Sequence, residues 1–150
     1  MTGVSAVTRE HVQRLEDQIA AMPQCECPVR NHFAPGVYLR EMTIPAGVTA
    51  VGAVHKTEHL AIVVGHCLVT TDDGVQEIRG YAVVHAKPGI KRAAHAIADT
   101  VFTTIHATEE TDLEKLCELL THSKADELLG GKNNRQALAQ KGETLCLLDS

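Results

Sequence analysis

His55, Glu58 and His59 fall within five consecutive positions of the stretch His-Lys-Thr-Glu-His-Leu-Ala-Ile-Val-Val-Gly (residues 55–65), immediately before an apolar run. Imidazole nitrogens and a carboxylate oxygen are donors suited to a divalent transition metal such as Fe, Mn, Ni or Zn. The apolar run reads as a strand, so the donors stand at the mouth of a β structure. There they serve either as a metal site or as a hydrogen-bonded polar turn. A second group follows the turn Pro88-Gly89: Lys91 and Arg92 point to opposite sides of an extended chain, so one of them can enter a cavity. An inward Arg92 either pairs with Glu58 or grips a carboxylate or phosphate through two parallel hydrogen bonds. His95 has the opposite parity to Arg92 and needs a bulge to share its cavity. His106 shares a face with Phe102 and Thr104, where a lone histidine is more often a satisfied core residue than a ligand.

The geometry of the first group depends on where the strand begins. If extended geometry starts at Glu58, that carboxylate enters a barrel with Leu60, Ile62 and Val64, while His59 joins Ala61 and Val63 on the other face. If the turn extends through Glu58, His55 and His59 converge instead. No serine or cysteine stands in a nucleophile-elbow pattern, and neither a P-loop nor a dinucleotide fingerprint is present. His66, His85 and His122 attract no functional assignment.

These groups must be positioned by a modest chain of 150 residues, 44% hydrophobic. That length builds one domain around one core. Aromatic residues are only 3% and tryptophan is absent, so the core is aliphatic and base-stacking platforms are scarce. A net charge of −5 argues against nucleic-acid partners, which require clustered Lys and Arg. No segment is long and apolar enough to span a bilayer. Cysteines at 25, 27, 67, 117 and 146 are odd in number and no secretory signal precedes them, which points to reduced thiols in a cytoplasm. Cys25-Glu26-Cys27 lacks the second cysteine pair that a closed zinc site needs.

Residues 8–22 predict an amphipathic helix capped by Thr8, with Val12, Leu15, Ile19 and Met22 on one face and Pro23 ending it. Pro23, Pro28 and Pro35 make the following stretch an extended arm. Short runs rich in Val, Ile, Thr and Tyr at 37–44, 49–55, 59–64, 67–71, 75–78, 81–86, 91–97 and 101–106 predict eight strands, with Gly65 and Gly80 among the turns and Asp73-Gly74 as the best hairpin signal. Connections this tight leave no room for crossover helices, so the fold class is mostly β: an antiparallel β-barrel or jelly roll. Thr111-Asp-Leu-Glu114 is a capping box opening a helix with Leu113, Leu116, Cys117 and Leu120 as its apolar stripe. A second helical piece spans 125–129, stopped by Gly130-Gly131, and residues 145–148 form an apolar end to a polar tail. The chain thus divides into a helix and arm (1–35), a β-barrel (36–108) and a helical extension (109–150).

The strand and turn pattern of residues 38–108 resembles a small single-domain cupin. His-Lys-Thr-Glu-His (55–59), Lys-Pro-Gly-Ile-Lys-Arg (87–92) and Asp-Thr-Val-Phe-Thr-Thr-Ile-His (99–106) are similar to words in cupins encoded by phages and prophages. The resemblance makes Glu58, which has six residues between it and Gly65, the acid of the first cupin motif, and His55 one of its histidines. Pro88-Gly89 keeps the turn of the second motif, but Arg92 occupies the position of its histidine. A guanidinium has no lone pair for a metal, so the usual ligand set is incomplete, with His95 and His106 as the available substitutes.

The resulting expectation is a cupin-like pocket protein of a phage, acting in the host cytoplasm and binding a small anionic or metal-bound ligand. His55, Glu58 and His59 are its metal ligands, and Arg92, Lys91, Glu58, His95 and His106 contact the ligand. Sequestration of a host metabolite or signalling nucleotide extends this expectation, with binding favoured over turnover because the ligand set is incomplete. A metal-dependent dioxygenase, isomerase or lyase is the alternative, and a structural or assembly protein is the third. Exposed sheet faces in so small a barrel need covering, so a homodimer is the expected assembly.

Overall fold

Buried and more exposed positions alternate along most of His59–Thr71, and the chain runs through all thirteen of these residues as a single strand. In the computed structural model, which describes residues 9–71 and 74–122, the elements are α1 (Arg9–Ala20), β1 (Val29–Ala34), β2 (Val37–Ile44), β3 (Thr49–Val51), β4 (His59–Thr71), β5 (Gly74–Ala86), β6 (Ala93–Ala96), β7 (Thr100–Ala107) and α2 (Leu113–Leu120). The strands form one antiparallel sheet in the order β1-β2-β7-β4-β6-β3, with β5 pairing β4. The mostly β, barrel-like class expected from the strand pattern is therefore present, with a helix before the strands and one after them.

Several boundaries differ from expectation. Gly65 and Gly80 are not turns: they pair with each other inside the β4–β5 ladder, merging four predicted strands into two long ones. The arm that three prolines suggested instead adds β1 to the edge of β2, pairing Val29 through Ala34 with Met42 through Val37. The strand expected at 49–55 stops at Val51, and that expected at 91–97 is confined to Ala93–Ala96, leaving Lys91 and Arg92 in a loop. Asp112, not Thr111, caps α2, its carboxylate accepting from the backbone N–H of Glu114 and Lys115. Thr8, Asp73, Cys146, Gly130-Gly131 and the expectations for 125–129 and 145–148 lie outside the described residues.

Gly65 explains how one strand serves two partners. Leu60 through Val64 pair with β7, while Cys67 through Val69 pair with β6, so the sheet curls at Gly65 and His66 between them. Gly65 has φ +140°, and a Cβ there would meet the Asp99 carbonyl oxygen at 2.6 Å and Thr100 Oγ1 at 2.7 Å. The close approach is held by His66, whose carbonyl accepts from the N–H of Ile97 at 2.8 Å and of Ala98 at 3.1 Å. Gly65→Ala is expected to cost roughly 2–4 kcal/mol, from backbone strain plus steric overlap. Urea unfolding checks this, and a midpoint equal to that of the wild type would contradict it.

The concave side collects the core. Ile44, Val63, Cys67, Val69 and Ala96 are almost wholly buried, with Met42 and Phe102 packed against them. Each buried Val or Ile stabilises by about 1.5–3 kcal/mol relative to exposure. Val12 and Ile19 bury one face of α1, as the helical spacing predicts, while Met22 lies beyond the helix and is exposed. At the other end of the sheet, Leu116 and Leu120 of α2 pack on Tyr38. No helix among the described residues is long and apolar enough to cross a membrane.

Candidate metal centre and its cavity

Register places the inward residues. On β7, Thr100, Phe102, Thr104 and His106 share the concave side, opposite Ile44, Met42, Arg40 and Tyr38 of β2. On β4, Ala61 and Val63 stand opposite Thr104 and Phe102, so His59, one step beyond that ladder, faces His106. The turn extends through Glu58, which is exposed, while His59 is buried. The second of the two geometries open in the sequence is therefore the one adopted, and His55 and His59 converge.

His55 is delivered by an irregular loop secured from two sides. It forms an isolated β-bridge with Thr121, just after α2, flanked by Lys56 N–H donating to the Leu120 carbonyl at 2.7 Å and His122 N–H donating to the Val54 carbonyl at 2.9 Å. Gly89 N–H donates to the His55 carbonyl at 2.9 Å, which ties the Pro88-Gly89 turn to the same loop.

The three rings gather at one end of the cavity. Ring centroids are 4.2 Å apart for His55 and His59, 4.6 Å for His59 and His106, and 5.3 Å for His55 and His106. One nitrogen from each lies within 4.8 Å of the other two. Ligands on a tetrahedral ion at 2.0–2.1 Å stand about 3.3 Å apart, so closing the set moves each nitrogen by under about 1 Å.

The chemistry of the rings fits a metal. Thr57 carbonyl lies 3.1 Å from His59 Nδ1 and accepts its proton when that nitrogen is protonated, leaving Nε2 as the lone pair. The Ala53 carbonyl likewise accepts from His55. His106 Nδ1 is buried with no hydrogen-bond partner among the described residues, a cost of about 1–3 kcal/mol that coordination through this nitrogen would offset. Burial, reinforced by His59, His106 and Arg40, pushes His55 down to about 3, and burial with His59 and Arg40 pushes His106 down to about 4. Burial and Arg92 lower His59 as well, against the Thr57 hydrogen bond. All three are thus neutral at pH 7, the form that binds metals.

Protonation sets the acid limit of the fold. The unfolded chain takes up protons on these histidines near pH 6.5, whereas the folded protein resists until about pH 4 for His106 and about 3 for His55. Stability is therefore full above about pH 6.5 and declines as pH falls toward 3, because the unfolded state binds more protons there. Thermal melts of chelator-treated protein between pH 7.5 and 4 are expected to show this decline, and His55→Asn to flatten it. A melting temperature independent of pH across that window would contradict the buried neutral state.

The other expected residues disperse. Glu58 is exposed and outside the cavity wall, so the joint hollow expected for His55, Glu58 and Arg92 is corrected to one that lacks the acid. Lys91 reaches the wall but pairs with Glu16 of α1 at 3.0 Å. Arg92 also lines the cavity, with Nη2 donating to the His85 carbonyl at 3.1 Å. His95 lies outside the wall, its Nδ1 hydrogen-bonded with Thr49 Oγ1 at 2.8 Å. His106, which the sequence placed only among ligand contacts, stands with His55 and His59 in the group that could hold a metal ion.

The cavity itself encloses about 560 Å³ between the concave sheet, α1, the 24–27 segment and α2. Arg40, unmarked by any sequence motif, lines it beside the histidines. The only signal for it was strand parity, which puts position 40 on the side of Tyr38, Met42 and Ile44. Cys27 and Cys117 also line the wall, and burial pushes the Cys27 thiol up to about 11 and raises Cys117.

No protein-family model matches the chain, and neither does any curated protein. Among solved structures it is similar to a Cupin_2 domain of an XRE-family transcriptional regulator from Enterobacter cloacae, at 13% identity and TM-score 0.45, over 55% of this chain and 97% of that one. A cupin domain from Bordetella pertussis Tohama I is similar at 17% identity and TM-score 0.45, over 58% and 98%. An RmlC-like cupin family protein with a double-stranded β-helix fold from Methanocaldococcus jannaschii is similar at 15% identity and TM-score 0.45, over 55% and 81%.

Proposed function

We propose that this protein holds a divalent transition metal through His55, His59 and His106 and binds a small molecule in the adjoining cavity. The observation that carries this is the convergence of three neutral imidazoles, one from an irregular loop and two from neighbouring strands, with nitrogens within 4.8 Å of one another. Imidazoles without a carboxylate suit Fe, Ni or Zn better than Mn. The backbone carbonyls of Ala53 and Thr57 hold two of the rings in orientation, and α2 secures the loop that carries His55. Elemental analysis of protein purified without a polyhistidine tag tests the proposal. About one equivalent of Fe, Ni or Zn per chain supports it, and under about a tenth, with no uptake on reconstitution, overturns it.

Catalysis is the second reading, favoured because three protein ligands leave coordination positions open, as in catalytic rather than structural metal sites. His106 fills the gap in the ligand set that had favoured binding without turnover. A metal there supplies Lewis-acid or redox chemistry, and the chain's own residues orient the ligand and enclose it. Buried cysteines at 27 and 67 that form no disulfide among the described residues support a reducing compartment, which for a phage protein is the host cytoplasm. Homodimerisation through the outer face of β4 and β5, where Val64, Tyr81 and Val83 are 47%, 64% and 52% exposed, belongs to the same proposal. Sedimentation equilibrium giving the monomer mass would remove it.

A further inference from the structure

Arg40 is a charge without a counter-charge. It projects from β2 into the cavity wall, where its surroundings are Tyr38, Cys27, Cys117 and the histidines His55 and His106, and no carboxylate or hydrogen-bond acceptor engages it among the described residues. It is half-buried and lines the cavity. A thiol and a phenol in such surroundings are neutral at pH 7, so none of these neighbours balances the guanidinium, which cannot shed its proton. Its strand partner across β2 and β7 is Thr104, whose Oγ1 is also buried with no partner among the described residues. Tyr38 is already committed, its hydroxyl donating to Asn31 Oδ1 at 2.6 Å. The wall also carries Arg9, Lys87, Lys91 and Arg92; of these, Lys91 pairs with Glu16 and Arg92 donates to the His85 carbonyl.

We infer that the ligand of this cavity is a small carboxylate, its anionic end gripped by Arg40 with Thr104 Oγ1 beside it, while its other end reaches the three histidines. This rests on the metal-binding reading for the far end of the ligand only. A carboxylate matches one guanidinium through two parallel N–H···O bonds. A phosphate ordinarily draws several cations or a row of backbone N–H groups, and the charge-bearing neighbours of Arg40, namely Tyr38, Cys117 and Cys27, include no second cation. Placing a dication near a buried guanidinium also requires an anion between them, which the ligand supplies.

Thermal-shift and calorimetric titrations with acetate, lactate, malonate and benzoate, each beside its neutral amide, test the inference on apo and Ni-loaded protein, with inorganic phosphate as a further arm. At least one carboxylate is expected to bind more tightly than its amide, and Arg40→Met to weaken it by about 10- to 100-fold, the worth of a charge-assisted hydrogen-bond pair. Arg40→Met without ligand is expected to melt no lower than wild type, because it removes an unbalanced buried charge. Arg40→Lys, which keeps the charge without the fork, is expected to recover only part of the affinity. Carboxylates that bind no better than amides, affinity indifferent to Arg40→Met, or phosphate preferred over every carboxylate would each overturn the inference. Carboxylate binding to apo protein with no metal uptake would sink the metal reading and leave the Arg40 site standing; metal uptake without carboxylate preference would do the reverse.

Discussion

His106→Ala is expected to abolish stoichiometric metal binding while leaving a folded protein. The side chain is 3% exposed, its ring lies within 5.3 Å of both other histidines, and its Nδ1 has no hydrogen-bond partner among the described residues. Partners outside the first coordination shell are worth 10- to 100-fold in metal affinity, so loss of a direct ligand should exceed about a hundredfold. Wild-type protein with metal at about a hundred times its dissociation constant gains about 2.7 kcal/mol, or roughly 5–10 °C in melting temperature for a chain of this size. The variant should lose that increment. Its apo form should stay close to wild type, because removing an unpaired buried nitrogen offsets part of the lost packing. An unchanged metal-induced shift in His106→Ala would assign this ring to the core and dissolve the three-histidine site.

Leu116→Ala is expected to damage both the fold and the metal site, although Leu116 touches no proposed ligand. It is 2% exposed and packs with Leu120 on Tyr38, and such a truncation costs about 2–5 kcal/mol. The consequence for the site is mechanical. The end of α2 carries the Leu120 carbonyl and Thr121, which secure Lys56 and His55, so a loosened helix frees the loop that presents the first ligand. Metal affinity should fall about tenfold or more, as for loss of an orienting partner. Leu119→Ala is the control: at 52% exposure on the same helix it should change stability by less than about 0.5 kcal/mol and leave metal affinity alone. If Leu116→Ala weakened folding yet bound metal as wild type, α2 would have no positioning role. Truncation after Thr108 probes the assembly alternative in the same way, since loss of metal together with a change in oligomeric state would tie the extension to the site as well.

Much of the architecture is legible in local pattern because local pattern reflects burial. Runs rich in Val, Ile, Thr and Tyr mark the stretches that become β2, β4, β5 and β7, and three-to-four spacing of apolar residues identifies α1 and α2. Glycine misled where it stood inside strands. Gly65 and Gly80 look like punctuation in sequence, but one accommodates the Asp99–Thr100 backbone and the two pair across a continuous ladder, a relation between residues fifteen apart that neither position announces. The proline-rich arm misled in the opposite direction. Its prolines flank β1 at 28 and 35 rather than interrupt it, which leaves the intervening N–H groups free to pair with β2.

At the site, residue types alone marked His55 and His59, since donor atoms crowding a turn before an apolar strand are costly unless used. Their partner was a different matter. Whether Glu58 or His59 faced inward turned on a single residue of register, and register is set by pairing with β5 and β7, far along the chain. The same pairing brings His106 to His59 and sets Arg40 opposite Thr104. Residue patterning and side-chain chemistry were enough to read an antiparallel β structure with helices at its ends and metal-competent groups at the start of β4. That three histidines meet, rather than two and an acid, with Arg40 lining the same cavity, emerges from the folded arrangement. Convergence of side chains distant in sequence depends on strand register and sheet curl, which are properties of the folded ensemble of contacts and not of any one segment.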